Sequence, residues 1–174
     1  MMTLIIMAFV VVVSALLQTS LPVFAVLGHV KFPFLLSVVL YYALSRGSVQ
    51  MLAAAFMAGL LQDILTPLMP LGYSVMCFCI IGAIVGMFRE WVLTESIVTW
   101  GVFGGAAGIA FTLLMYVMLL KGGLVICPVR RAILKAVASG LLASVCTPIV
   151  FVVTARMDGV VGNIEVKESI HGFE

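Results

Sequence analysis

Asp63 is the residue whose chemistry fits its surroundings least well. It is the only Asp, Glu, Lys, Arg or His between Arg46 and Arg89, in a stretch that is otherwise mostly apolar. A carboxylate at the centre of a membrane helix costs about 2.5–3.5 kcal/mol. Such a group is expected to accept hydrogen bonds from neighbouring donors, or to contact a ligand or a partner.

Patterns typical of catalysis and of metal binding are absent from the sequence. The two histidines, His29 and His171, have no acid or nucleophile at motif spacing. There is no glycine-rich phosphate-binding loop followed by Lys and Ser or Thr, and no His-Glu-x-x-His motif. The cysteines have neither zinc nor redox spacing and are expected to be small buried apolar residues: Cys77, Cys79, Cys127 and Cys146. We therefore expect no enzyme, no cofactor and no metal site.

The composition is typical of an integral membrane protein. Of 174 residues, 64% are hydrophobic and 9% are charged, whereas soluble domains have about 25% charged residues. Uncharged stretches at residues 1–30, 64–88, 96–120 and 136–155 meet or approach the roughly 20 residues that span a bilayer. The net charge of +2 comes without a basic stripe, so nucleic-acid binding is not expected.

Six transmembrane helices are predicted, in one compact all-α bundle. Their expected bounds are 3–21, 33–44, 48–65, 70–88, 97–120 and 132–154, since proline, glycine and charged residues interrupt the apolar pattern between them. Residues 1–155 are expected to form the transmembrane domain, and residues 156–174 a short polar cytoplasmic tail. The first apolar run lacks a basic start, so it is predicted to be a retained helix rather than a signal peptide.

The orientation follows weakly from the positive charges. An even number of helices places both termini on one side. With the termini in the cytoplasm, four Lys and Arg residues lie inside and five outside, which does not decide between the orientations. Without the basic fifth connector, residues 121–135, the counts are four and one, so cytoplasmic termini are favoured.

Asp63 is then expected near the outer end of the third helix, about 24 Å along the axis from the turn at Gly47. A negative charge at a helix C-terminus is unfavourable, so backbone N–H groups of residues 66–72 are expected to bind it. Two interpretations remain open. Asp63 either organises the turn into the fourth helix or contacts a ligand or partner.

Small residues recur every four positions along three predicted helices, a spacing that lets helices pack closely in lipid. The sets are Ala55 with Gly59 and Asp63, Gly82 with Gly86, and Gly104 with Gly108, Thr112 and Tyr116. The pattern does not tell whether the packed helix belongs to this chain or to another.

One stretch resembles a known family. Gly59-Leu-Leu-Gln-Asp63, a short connector and Pro70-Leu-Gly72 look like the signature of the rod shape-determining protein MreD family. Leu16-Leu17-Gln18 and Lys31-Phe32-Pro33, which precedes a leucine-rich helix, agree with it; so do Tyr41, Tyr42 and the basic residue Arg156 after the last helix.

The resemblance implies a multi-pass protein of the bacterial cell inner membrane. It would be a non-enzymatic scaffold of the cell-elongation complex, surrounded by membrane lipid, that binds MreC and helps position peptidoglycan synthases. Indirect partners would be the MreB filament, a RodA-type glycosyltransferase and its transpeptidase. Structural or partner-contact candidates are Gly59, Asp63, Pro70, Gly72, Gly82, Gly86, Gly104 and Gly108.

The family's fold is similar to the substrate-binding subunits of energy-coupling-factor transporters, which supplies an alternative. The chain would then be the membrane subunit that binds a vitamin or metal. Such a subunit needs polar groups that converge on a pocket. The sequence offers few: Asp63, the tyrosines, Gln18, Gln50 and Gln62.

Overall fold

The computed structural model describes residues 2–20, 32–66, 71–88, 97–123 and 129–160. These residues form six helices and no strand. The helices are α1 (Met2–Ser20), α2 (Phe34–Ser45), α3 (Ser48–Ile64), α4 (Tyr73–Met87), α5 (Ile97–Lys121) and α6 (Val129–Val160). The prediction of an all-helical chain is confirmed.

The helix bounds differ from expectation mainly at two places. The fourth helix begins at Tyr73 rather than at 70, because Gly72 before it has φ of 102°, a left-handed conformation that cannot continue a helix. The last helix extends at both ends to Val129 and Val160, so Arg156 belongs to α6 rather than to the predicted tail. Residues 161–174 lie outside the described part of the chain.

Two of the helices are long and apolar enough to cross a membrane, over Val98–Lys121 and Val129–Met157. The other apolar helices of the described chain are shorter: Leu4–Ser20, Phe34–Ser45, Ser48–Ile64 and Tyr73–Met87. Many large apolar side chains face outward on α1, α3, α4, α5 and α6, as expected for a surface in contact with lipid. A membrane protein is therefore supported, while six spans stay a prediction.

The centre of the bundle is α2. All ten side chains from Leu35 to Leu44 are buried, and α2 contacts each of the other five described helices. This burial explains its sequence, because a helix that is apolar on every side needs partners on every side. In the middle of the core Tyr41 packs edge-on against Phe151 of α6, with ring centroids 5.4 Å apart.

The direction of the helices is given by their contacts. Ser37 and Tyr41 of α2 meet Thr147 and Phe151 of α6 in the same order, so α2 and α6 run parallel. The helices α3 and α4 are antiparallel, and so are α5 and α6. The C-termini of α1, α3 and α5 and the N-termini of α2, α4 and α6 therefore point to one end of the bundle, which we call the Asp63 end.

Candidate functional site

The carboxylate of Asp63 lies in the last turn of α3 and is 2% exposed. Its Oδ2 accepts the backbone N–H of Gly72 at 2.6 Å, and its Oδ1 accepts that of Ser74 at 3.1 Å. The first N–H groups of a helix have no partner within the helix. Asp63 thus supplies from α3 the cap that the N-terminus of α4 needs.

Asp63 lies between two helix ends whose dipoles carry partial charges of opposite sign. Asp63 stands at the C-terminus of α3, where the helix dipole disfavours a negative charge, and at the N-terminus of α4, where the dipole favours one. Two charge-assisted hydrogen bonds with α4 add to the favourable side. The carboxylate is thereby accommodated without any cation among the described residues.

The geometry of the bond depends on Gly72. Its φ of 102° turns the chain so that its own N–H and that of Ser74 both point toward Asp63. The connector donor expected from the sequence is the N–H of Gly72, and the second donor comes from α4 itself. Pro70, the remaining candidate of the connector, lies outside the described residues.

A hydrogen-bonded pair of glutamines, Gln18 and Gln62, lies beside the Asp63 cap. The Nε2 of Gln18 donates to Oε1 of Gln62 at 2.7 Å, and the N–H of Leu35 donates to Oε1 of Gln18 at 3.4 Å. Gln62 immediately precedes Asp63, so polar contacts at the Asp63 end join α1, α2, α3 and α4. The sequence showed both glutamines but gave no sign that they pair, because 44 residues separate them.

The glycine of α3 explains how closely α3 and α4 approach. A Cβ on Gly59 would lie 2.5 Å from the Cα of Val75, one residue beyond Ser74. The two backbones are therefore in contact directly next to the Asp63 cap. Further along α4, a Cβ on Gly82 would lie 2.8 Å from the Sδ of Met51.

The glycines of α5 pack against α6. A Cβ on Gly104 would overlap the side chain of Thr147, and one on Gly108 would lie 2.7 Å from the Cβ of Ala143. From the other side, a Cβ on Gly140 would lie 3.0 Å from the carbonyl oxygen of Gly105. Of the two alternatives left open by the sequence, contact within the chain accounts for Gly59, Gly82, Gly104 and Gly108.

Gly86 is the exception among the candidate glycines that lie inside helices. The nearest atom to a Cβ built there is the carbonyl oxygen of Ala43, at 3.9 Å, which is ordinary van der Waals distance. Gly86 is half-buried and borders the outward face of α4. Exposed members of that face are Met76, Ile80, Ile84 and Met87.

Chemically, the carboxylate of the described site binds backbone N–H groups of the chain itself. The carboxylate of Asp63 and the amides of Gln18 and Gln62 are used in hydrogen bonds between helices, while the Oγ of Ser74 is buried without a partner in the described chain. No three His, Cys, Asp or Glu side chains within the described ranges are placed to hold a metal ion. The arrangement can fix the relative position of four helix ends, and through them the outer faces of the bundle.

Comparison with known proteins gives one match. The model of the family described as rod shape-determining protein MreD matches residues 1–157. No curated protein and no solved structure matches the chain significantly. The expected similarity to energy-coupling-factor transporter subunits therefore stays a prediction.

Proposed function

The chain belongs to the rod shape-determining protein MreD family, and from this we propose that it is a non-enzymatic scaffold subunit of the bacterial cell-elongation complex. The family match is the observation that carries the proposal, because this family determines rod shape. In the proposed role the chain is a multi-pass protein of the inner membrane with cytoplasmic termini. It binds the membrane helix of an MreC-like protein and so helps position peptidoglycan synthases.

Rigid internal packing supports a scaffold. The Asp63 cap and the pair Gln18–Gln62 tie the ends of α1 to α4 together, and glycine contacts lock α5 against α6. A bundle held in this way presents outer faces of fixed geometry, which is what a protein that acts by binding needs.

The face that we propose for the MreC-like helix is the outward face of α4, with Gly86 at its border. The other candidate glycines inside helices, Gly59, Gly82, Gly104 and Gly108, are in close contact with neighbours of the same chain, whereas Gly86 has room beside it. Exposed Ala83 lies one turn before Gly86 on the same side of α4 and would provide apolar contact next to it, and in lipid close packing of this kind drives helix association.

The test combines depletion with matched variants. Depleted cells should become round or wide and lose incorporation of new wall along the cell side. Gly86→Leu should leave the protein in the membrane at normal abundance but reduce co-purification of the MreC-like partner. Gly108→Leu, whose side chain would meet Ala143 and Gly140, should instead lower abundance, because α5 and α6 cannot separate without loss of the fold.

Two results would overturn the proposal. Depleted cells that keep their shape but require an added vitamin or metal would favour the transporter subunit. Full co-purification of the partner with Gly86→Leu would move the contact away from this face of α4. The hydrogen bonds of Gln18, Gln62 and Asp63 with groups of the chain itself leave less polar capacity for a substrate and disfavour the transporter alternative.

A further inference from the structure

The hairpin of α5 and α6 carries a cluster of exposed positive charges. Lys121 is in the last turn of α5, and Arg130, Arg131 and Lys135 are in the first two turns of α6. All four side chains are exposed. Because α5 ends and α6 begins toward the Asp63 end, the four charges lie at one end of the bundle, and we call them the basic hairpin cluster.

Nothing in the described chain compensates this charge. No described residue forms an ion pair with any of the four, and the first turn of α6 contains no acidic residue. The one carboxylate side chain that is described, Asp63, is buried and bonded to α4. The three charges of α6 also oppose their own surroundings, whereas Lys121 lies at the C-terminus of α5, where the helix dipole favours a cation. Arg130 and Arg131 stand at the positive end of the α6 dipole, and Arg131 and Lys135 are like charges four residues apart.

The length of α6 places the cluster at the level of lipid headgroups. α6 has 32 residues, which corresponds to about 48 Å, while the hydrocarbon core is about 30 Å thick. Residues 136–155 contain no charge and are about 30 Å long, so they fit the core. The turns before them, with Arg130, Arg131 and Lys135, then extend into the headgroup region.

The apolar residues between the charges agree with this depth. Ile133, Leu134 and Val137 are exposed within the same turns, so this segment faces the boundary between acyl chains and headgroups. Long basic side chains at such a boundary keep their aliphatic stems in the apolar layer and direct the charge toward the phosphates.

From these observations we propose that the basic hairpin cluster binds the phosphate groups of anionic phospholipids. The ligand is the negatively charged headgroup of a lipid such as phosphatidylglycerol, bound at the periphery of α5 and α6. Polybasic segments next to a membrane are attracted to anionic lipid in this way. The lipids would supply the negative charge that the described residues do not place there.

The experiment uses the full chain reconstituted in phosphatidylcholine membranes. Spin-labelled phosphatidylglycerol or spin-labelled phosphatidylcholine is added in trace amounts, and electron paramagnetic resonance gives the fraction of each that is immobilised by the protein. The wild-type chain should prefer phosphatidylglycerol by about fivefold or more at low salt, because one basic residue near the membrane surface already contributes about that factor. The preference should fall at high salt, because the interaction is between charges that water can reach.

Variants of the cluster assign the preference to these residues. The triple change Arg130→Gln, Arg131→Gln and Lys135→Gln should bring the ratio close to one. The double change Arg130→Lys and Arg131→Lys keeps the charge and should retain most of the preference. Arg156→Gln, which removes an exposed charge near the other end of the same helix, serves as the matched control and should change the ratio little.

Three outcomes would overturn the proposal. The first is a ratio of immobilised phosphatidylglycerol to phosphatidylcholine near one for the wild-type chain, and the second is an unchanged ratio in the triple variant. The third is a preference for phosphatidylglycerol that inorganic phosphate lowers more than sodium chloride does at equal ionic strength. The last would indicate a discrete phosphate site. A wild-type ratio near one together with lost partner co-purification in the triple variant would assign the cluster to an acidic protein segment instead. The wild-type and salt measurements decide the matter even where the triple variant fails to fold.

Discussion

The Oδ2 of Asp63 lies 2.6 Å from the backbone nitrogen of Gly72, nine residues further along the chain. This contact joins the end of α3 to the start of α4, so the carboxylate of one helix caps the next. The short distance and the burial of Asp63 mark a charge-assisted bond shielded from water. The stability of the α3–α4 pair should therefore depend on this side chain.

Replacement of Asp63 should destabilise the protein in graded steps. Asp63→Asn keeps one carbonyl oxygen and can accept one of the two N–H groups, whereas Asp63→Leu accepts neither. Loss of a hydrogen bond to a charged group costs about 1.5–3 kcal/mol. We expect membrane abundance and the thermal midpoint in detergent to decrease in the order wild type, Asn, Leu. Normal abundance of Asp63→Leu with loss of cell shape would make Asp63 a contact residue instead.

Gly72 and Gly159 form a matched pair for testing backbone strain. A Cβ at either position would meet no atom within 4 Å, but only Gly72 has a positive φ, of 102°. Gly72→Ala should cost about 1–2 kcal/mol because an L-residue is strained in that conformation. Gly159→Ala, inside α6, should be neutral or slightly stabilising. Equal thermal midpoints for the two variants would refute the requirement for glycine at 72.

The glycines of the packing faces should differ in the same way. Gly59→Ala would bring its Cβ to 2.5 Å from the Cα of Val75, whereas Gly86→Ala leaves 3.9 Å to the nearest atom. Because a backbone atom cannot rotate away, α3 and α4 must move apart in the first variant, at a cost of about 1–3 kcal/mol. Unfolding in detergent, followed by circular dichroism, measures both. Similar stability of Gly59→Ala and Gly86→Ala would contradict the observed contact.

The sequence predicted the helical class and the need of Asp63 for backbone donors, because both follow from local features. Hydropathy along the chain shows where the helices are, and a carboxylate at a helix end requires N–H groups nearby. The left-handed conformation of Gly72 could not be predicted from the sequence, since glycine is compatible with many conformations. Its role becomes visible only when α4 is seen to begin at the next residue.

The occupants of the glycine faces could not be predicted from spacing. A four-residue repeat indicates which side of a helix carries small residues, but Gly104 meets Thr147 of α6, which lies far along the sequence. The same limit applies to Gln18 and Gln62. Pairing across the bundle depends on how the helices are arranged, and hydropathy does not contain that information.

The pair Gln18–Gln62 can be measured directly by a double-mutant cycle. Leucine at either or both positions isolates the interaction energy of the hydrogen bond, which in membrane proteins averages about 0.6 kcal/mol and reaches about 1.7. Gln50→Leu is the matched control, because the Oε1 of Gln50 is buried without a hydrogen-bond partner in the described chain, and its removal should cost little. A coupling energy of zero would mean that the two amides do not hold α1 to α3.

Two exposed positions at opposite ends of the bundle test its orientation in the membrane. Leu71 precedes α4 at the Asp63 end and is 72% exposed, and Val49 begins α3 at the other end and is 81% exposed. Each is changed to cysteine after the native cysteines have been replaced by alanine. With cytoplasmic termini, Leu71→Cys should react with a membrane-impermeant maleimide in spheroplasts, whereas Val49→Cys should react only after lysis.

The two variants control for each other, because they lie at opposite ends of the bundle. In either orientation one thiol should react with the maleimide in spheroplasts and the other should not. The reversed pattern would place the Asp63 end and the basic hairpin cluster in the cytoplasm. Labelling of both thiols before lysis would mean that α3 does not cross the membrane. This result would also contradict six spans. The measurement is informative because the 17 residues of α3 extend about 26 Å, against a hydrocarbon core of about 30 Å.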